Sequence, residues 1–113
     1  MEEKYQLKEG CLTIQMPKEL DHHEAGRLKM EADFLIGAYH VRRLVFDFRE
    51  TEFMDSSGIG LILGRYKKAQ IWHGEVVLQN LSEPLEKVVR LSGVGGLCRI
   101  EHTAGDEGRD ENE

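Results

Sequence analysis

Tyr5, Leu7, Leu12, Ile14 and Met16 alternate with polar residues on either side of Glu9-Gly10, the period of two that a hairpin with one buried face requires. The chain therefore opens with two short strands. Beyond Pro17, Asp21 stands before a new pattern with Glu24 three residues later, a variant of the capping box that starts a helix. Ala25, Leu28, Ala32, Leu35 and Tyr39 then recur at steps of three and four. One stripe of this segment faces a core, and a helix is predicted over about 22–38.

Leu44-Val45-Phe46-Asp47-Phe48 is a dense apolar run with β-branched and aromatic members, suited to a central strand covered on both faces. Several cap-type residues follow in Asp55-Ser56-Ser57-Gly58, feeding Ile59, Ile62, Leu63 and Tyr66 at helical spacing. This second helix is predicted to end near Gly74, with Lys67, Lys68 and His73 complementing the negative end of its dipole. Val76-Val77-Leu78 reads as another buried strand. Ser82 caps a third helix carrying Leu85, Val88, Val89 and Leu91 and stopped by Gly93, and Leu97 to Ile100 is a candidate last strand. Alternation of strand and helix gives parallel neighbours joined by right-handed crossovers, with the hairpin adding antiparallel pairing at one edge. The predicted fold is a single α/β domain over 1–102: a small mixed β-sheet with an N-terminal hairpin and about three packed helices.

At 113 residues and 40% hydrophobic content the chain can fill one two-layer core and not two. Net charge is −6, of which the stretch Thr103 to Glu113 carries −4, leaving −2 for the rest. Residues 103–113 read as an acidic, disordered tail. Without clustered Lys and Arg the chain is not expected to bind nucleic acid. No run approaches the roughly 18 apolar residues of a membrane span, and no signal-like start is present, so no membrane is expected and the cytoplasm is the expected location. Cys11 and Cys98 lie far apart with no His or second Cys at ligand spacing; they read as two buried free thiols in a reducing compartment, with a bridge between them as the alternative.

Enzyme motifs fail one by one. Gly58-x-Gly60-x-x-x-Gly64 has a last gap one residue too long for a dinucleotide fingerprint, and no Walker loop occurs. Gly60 and Gly64, one turn apart, are expected instead to clear one side of the helix for close packing against the sheet. A nucleophile elbow needs glycine two places before and after the serine; Ser56 has Met54 and Gly58, Ser57 has Asp55 and Ile59. His22 and His23 are adjacent and diverge by about 100° on a helix, so they cannot share a metal. No catalytic residue, metal or cofactor is expected.

What remains is the turn Asp55-Ser56-Ser57-Gly58. Its hydroxyls stand at a predicted helix N-terminus, where orphan N–H groups and the positive dipole end tolerate an added phosphate. Phosphorylation there keeps the fold and changes the surface. Ile59, Leu61, Ile62 and Leu63 surround nearly the whole first two turns of the helix, more than one buried face requires, so some are expected to be exposed as a protein-docking surface.

Glu19-Leu20-Asp21-His22-His23, Phe53-Met54-Asp55-Ser56-Ser57-Gly58-Ile59-Gly60, Ile62-Leu63-Gly64-Arg65-Tyr66-Lys67 and Leu91-Ser92-Gly93 closely resemble the anti-sigma-factor antagonists of the STAS domain family, the sporulation type in particular. The similarity runs over roughly 5–102. It implies partner switching: the unmodified antagonist binds an anti-sigma factor that is also a serine kinase, a sigma factor is released, the kinase phosphorylates the antagonist, and a serine phosphatase restores it. The family's acceptor corresponds to Ser56. Asp55, Ser57, Gly58 and Ile59 are implied in the docking surface, with Glu19, Asp21 and His22 near it. The resemblance departs at Gly95-Gly96, where the family more often has a bulky residue and a lysine, which loosens the approach to the last strand. Two other readings compete: a STAS module that senses a ligand or scaffolds an assembly without phosphorylation, and a nucleotide hydrolase, for which no metal site or general base is in view.

Overall fold

The computed structural model describes residues 4–103. In chain order the first half comprises β1 (Tyr5–Lys8), β2 (Cys11–Gln15), β3 (Glu19–Leu20), α1 (His22–Ala38), β4 (Arg43–Asp47) and β5 (Phe53–Met54). The second comprises α2 (Ser56–Ile71), β6 (Glu75–Gln79), α3 (Glu83–Leu91), a 3-10 turn at Val94–Gly96 and β7 (Arg99–Glu101). The main sheet runs β1-β2-β4-β6-β7, antiparallel only between β1 and β2. Glu9 and Gly10 both have positive φ, 50° and 80°, the type I′ turn whose twist matches its strands. The predicted mixed sheet with its edge hairpin is the observed one.

Two boundaries moved for local reasons. α2 ends at Ile71, before the predicted glycine, because the chain turns left-handed at His73 (φ 57°). The N–H of Gly74 then donates to the Ala69 carbonyl at 2.9 Å, a Schellman closure with histidine where glycine is usual. Gly74 is needed one place further on, since a Cβ there would overlap the Trp72 ring and meet the Arg42 carbonyl at 2.7 Å. The last strand begins at Arg99 rather than Leu97, because Val94–Gly96 coils into the 3-10 turn. Gly95 packs there against α3, where a Cβ would lie 3.1 Å from the Arg90 side chain and 3.2 Å from its backbone, so the turn as built leaves little room for a bulky residue.

The two faces of the sheet are buried differently. Leu12, Leu44 and Val76 align in register, as do Ile14, Phe46 and Leu78. These six join one core cluster with Ala25, Leu28 and Ala32 of α1, Leu61, Ile62 and Ala69 of α2, and Leu85 and Val89 of α3. Each fully buried large apolar side chain contributes about 1.5–3 kcal/mol. All three helices thus cover one face. On the other face Val45 and Val77 are buried outside that cluster, among polar neighbours. Arg43 reaches Glu75 at 3.1 Å and Glu101 at 3.0 Å, and Arg99 reaches Glu101 at 3.3 Å. β4 is therefore not covered by elements on both faces as its sequence suggested; long charged side chains screen its second face.

Both cysteines are free; Cys98 is buried and Cys11 half-buried, where two buried thiols were expected. Burial pushes the Cys98 thiol up to about 11, which keeps it protonated and inert near neutral pH. Thr103 closes the described chain: its N–H donates to Asn80 Oδ1 at 2.9 Å. The expected acidic tail beyond it, 104–113, lies outside the described residues.

Candidate functional site

Two helix starts are brought side by side by an element with no periodic signature. β3 and β5 are two-residue strands that pair in parallel, Glu19 opposite Phe53 and Leu20 opposite Met54. Flanking bonds lock the pairing: Glu52 N–H donates to the Lys18 carbonyl at 2.7 Å, and Asp55 N–H to the Leu20 carbonyl at 3.3 Å. Each strand is followed at once by an aspartate cap and a helix. Asp21 accepts from the Glu24 N–H at 2.9 Å, and Asp55 from the Ser57 N–H at 2.8 Å. Both predicted caps are real, although Glu24 turns to Arg27 rather than back to the cap.

Gly58 makes the close approach possible. A Cβ there would overlap the Met54 side chain and stand 3.0 Å from Leu20 Cδ2. With glycine, α2 settles against β3 and β5, and Leu20 and Met54 are sealed beneath. On the solvent side Ser56 is exposed, and among the described residues its hydroxyl has no partner. Ser57 is half-buried, with its Oγ 3.3 Å from His22 Nδ1. The two serines therefore differ: one hydroxyl is free at the first helical position, the other is engaged across the helix pair.

Of the candidate residues named from sequence, Asp21, His22, Asp55, Ser56 and Ser57 lie at the two neighbouring helix starts and Glu19 is exposed on β3, opposite Phe53, which is 50% exposed. Gly58, expected in the docking surface, is instead buried against Met54 and Leu20. Ile59 is different. It packs half-buried against the core together with Leu63, while Leu61 and Ile62 are buried. The expected apolar docking cluster on the first turns of α2 is thus absent; the core reaches round more of the helix than a single stripe.

Gly60 and Gly64 also depart from expectation. The residues of α2 that turn inward are Gly58, Leu61, Ile62, Arg65 and Ala69; Gly60 and Gly64 point toward α1, and a Cβ at either would meet nothing within 4 Å. They line an open groove of about 290 Å³ between α1 and α2 that begins at His22 and Ser57. Lys29 and Gly26 of α1 line it as well. Nothing in the sequence marked these two, since their relation to α2 exists only after docking. Among the described residues no group of three His, Cys, Asp or Glu is placed to hold a metal ion, and no helix is long and apolar enough to cross a membrane.

This architecture, a mixed sheet with helices on one face and paired helix starts at one end, is that of a STAS domain. The chain belongs to the STAS domain family, whose model matches residues 4–107. Within it the likeness is to the anti-sigma-factor antagonists. The anti-sigma F factor antagonist of Paenibacillus polymyxa is 34% identical over 91 residues, covering 80% of this chain and 78% of that one. The unphosphorylated form of the anti-sigma factor antagonist SpoIIAA superposes with a TM-score of 0.79 at 29% identity, over 95% of this chain and 94% of that one. The phosphorylated form of the Bacillus cell fate determinant SpoIIAA does so with a TM-score of 0.72 at 28% identity, over 96% and 99%.

Proposed function

We propose that this chain is a phosphorylation-controlled anti-sigma-factor antagonist: unmodified, it binds an anti-sigma factor that is also a serine kinase, and phosphorylation of Ser56 releases it until a serine phosphatase removes the phosphate. The observation that carries this reading is the exposed, unpartnered hydroxyl of Ser56 at the first position of α2. A phosphoryl group there projects into solvent at the positive end of the helix, so the core needs no rearrangement. The likeness to SpoIIAA in both its unphosphorylated and its phosphorylated forms supports the same conclusion.

The switch itself is electrostatic. Phosphoserine adds roughly −1.5 to −2 charges beside Asp55 and in the middle of the surface that Asp21, His22, Ser57 and Phe53 offer a partner. Repulsion and the desolvation of a dianion oppose docking; a loss of about 4 kcal/mol lowers affinity about a thousandfold. Ile59 offers a partner only the exposed part of its side chain, so apolar contact falls chiefly to Phe53.

Incubation with the cognate kinase and ATP, followed by mass spectrometry, tests the assignment. A single phosphate on Ser56, absent in Ser56→Ala, is expected. Modification of Ser57 instead, or an unchanged yield in Ser56→Ala, overturns it.

A further inference from the structure

β1 is the outer strand of the main sheet, and among the described strands it pairs with β2 alone. The Gln15 N–H donates to the Lys4 carbonyl at 2.8 Å, which fixes the alternation along β1. Lys4, Gln6 and Lys8 turn their main-chain groups to β2, so Tyr5 and Leu7 turn theirs outward. Such an edge accepts a further strand.

The helix beside this edge is exposed in the wrong place for a free domain. Met30 and Phe34, one turn of α1 apart, are 73% and 71% exposed, although a surface helix normally turns polar residues outward. With Tyr5 and Leu35 they line an apolar groove of about 420 Å³ between β1 and α1. Glu31, which also lines it, is already engaged by the Tyr5 hydroxyl and by Arg27. Tyr5 and Leu7 stand opposite the core residues Ile14 and Leu12, so they share the helix-covered face of the sheet. The groove therefore lies where the helix-facing side chains of one more strand would go.

Area and alternation say which strand. Leu7, 41% exposed, Met30 and Phe34 together expose roughly 350 Å², at about 200 Å² for each fully exposed side chain. This is short of what a specific contact buries, but a copy related by a two-fold axis supplies the same surface again, and with both strand edges the total reaches about 1,000 Å². The occupant must also be extended, with apolar side chains at alternate positions and one edge free. Among the described elements β1 itself has all three properties.

We infer that two copies of this chain pair antiparallel through β1, about a two-fold axis at Leu7, forming one continuous sheet with the Met30–Phe34 stripes of both α1 helices closing over the joint. Charge selects this register. Centred on Leu7, Lys8 faces Gln6 of the other copy and Tyr5 faces Glu9; centred on Gln6, Lys4 would face Lys8 at both ends. None of these residues belongs to the serine turn, so the contact stands or falls apart from the switch.

An interface of this size gives a monomer–dimer equilibrium with Kd of about 10–100 μM, read by sedimentation equilibrium of the full chain. Phe34→Glu is expected to weaken it about tenfold or more, with Tm within about 4 °C of wild type. Leu91→Glu, at an apolar residue of α3 that is 82% exposed, stays within about twofold, because surface changes away from the joint do not couple to it. Leu7→Cys under mild oxidation should yield a disulfide-linked dimer that the wild type does not, since facing Cα atoms in such a pair stand about 5.5 Å apart. A monomer at every concentration up to about 1 mM leaves the groove to another protein or to the chain's own ends and overturns the proposal. So does a dimer that Phe34→Glu leaves at full strength, one weakened equally by Leu91→Glu, or a Leu7→Cys protein that does not cross-link. Should Phe34→Glu not fold, Met30→Glu and the cross-link decide.

Discussion

The starts of α1 and α2 are built to one plan and differ in what they leave available. Each follows a two-residue strand, each is capped by an aspartate, and their parallel pairing sets them side by side. The first turn of α1 already holds a second acid, Glu24, whereas that of α2 has none. The positive end of α1 is therefore offset by Asp21 and Glu24, and that of α2 by Asp55 alone. α1 presents two exposed imidazoles; α2 presents a free hydroxyl. Two similar termini thus have different capacities: only the second has an exposed hydroxyl as an attachment point, and it has one acid fewer beside its positive end. The packing differs too. Gly58 is pressed against Met54 and Leu20, while Gly26 on α1 faces open groove.

Several measurements break or sharpen this contrast. The largest effect belongs to binding: kinase affinity of protein phosphorylated at Ser56 should fall about a thousandfold by calorimetry, or about 4 kcal/mol. A loss below tenfold removes the functional distinction between the two termini. Next come the glycines, measured by urea denaturation. Gly58→Ala should lose about 1–3 kcal/mol through overpacking against Met54, while Gly26→Ala should gain up to about 1 kcal/mol; effects of equal sign contradict the packing described. Asp55→Ala and Asp21→Ala should each lose about 1 kcal/mol, with Asp55 the larger because no other acid stands in its turn. The smallest change is expected from His22→Ala, about 0.5 kcal/mol or less, since its contact with Ser57 is solvent-exposed at 3.3 Å.

Features set by neighbours in the chain were readable from the residues. The span of α1, the aspartate and serine caps, the Glu9-Gly10 turn and the parallel order of the central strands all rest on spacings of two to four residues or on local backbone preference. Asp55-Ser56-Ser57-Gly58 was legible as a helix start carrying hydroxyls for the same reason. By contrast, β3 and β5 are too short to show any period, and their pairing joins Glu19 to Phe53 across the whole of α1 and β4.

What the sequence determined by itself, then, is the set of elements and the chemistry at each helix start, because these depend on short-range sterics and hydrogen bonding. Tertiary structure alone decided that Ile59 and Leu63 fold inward and that Gly60 and Gly64 turn away from the sheet. It also decided that Ser57, and not Ser56, meets His22. Each of these depends on which side of a helix the sheet, α3 and α1 come to occupy. A helical repeat specifies the angle between side chains; the docking of distant segments specifies which angles are covered.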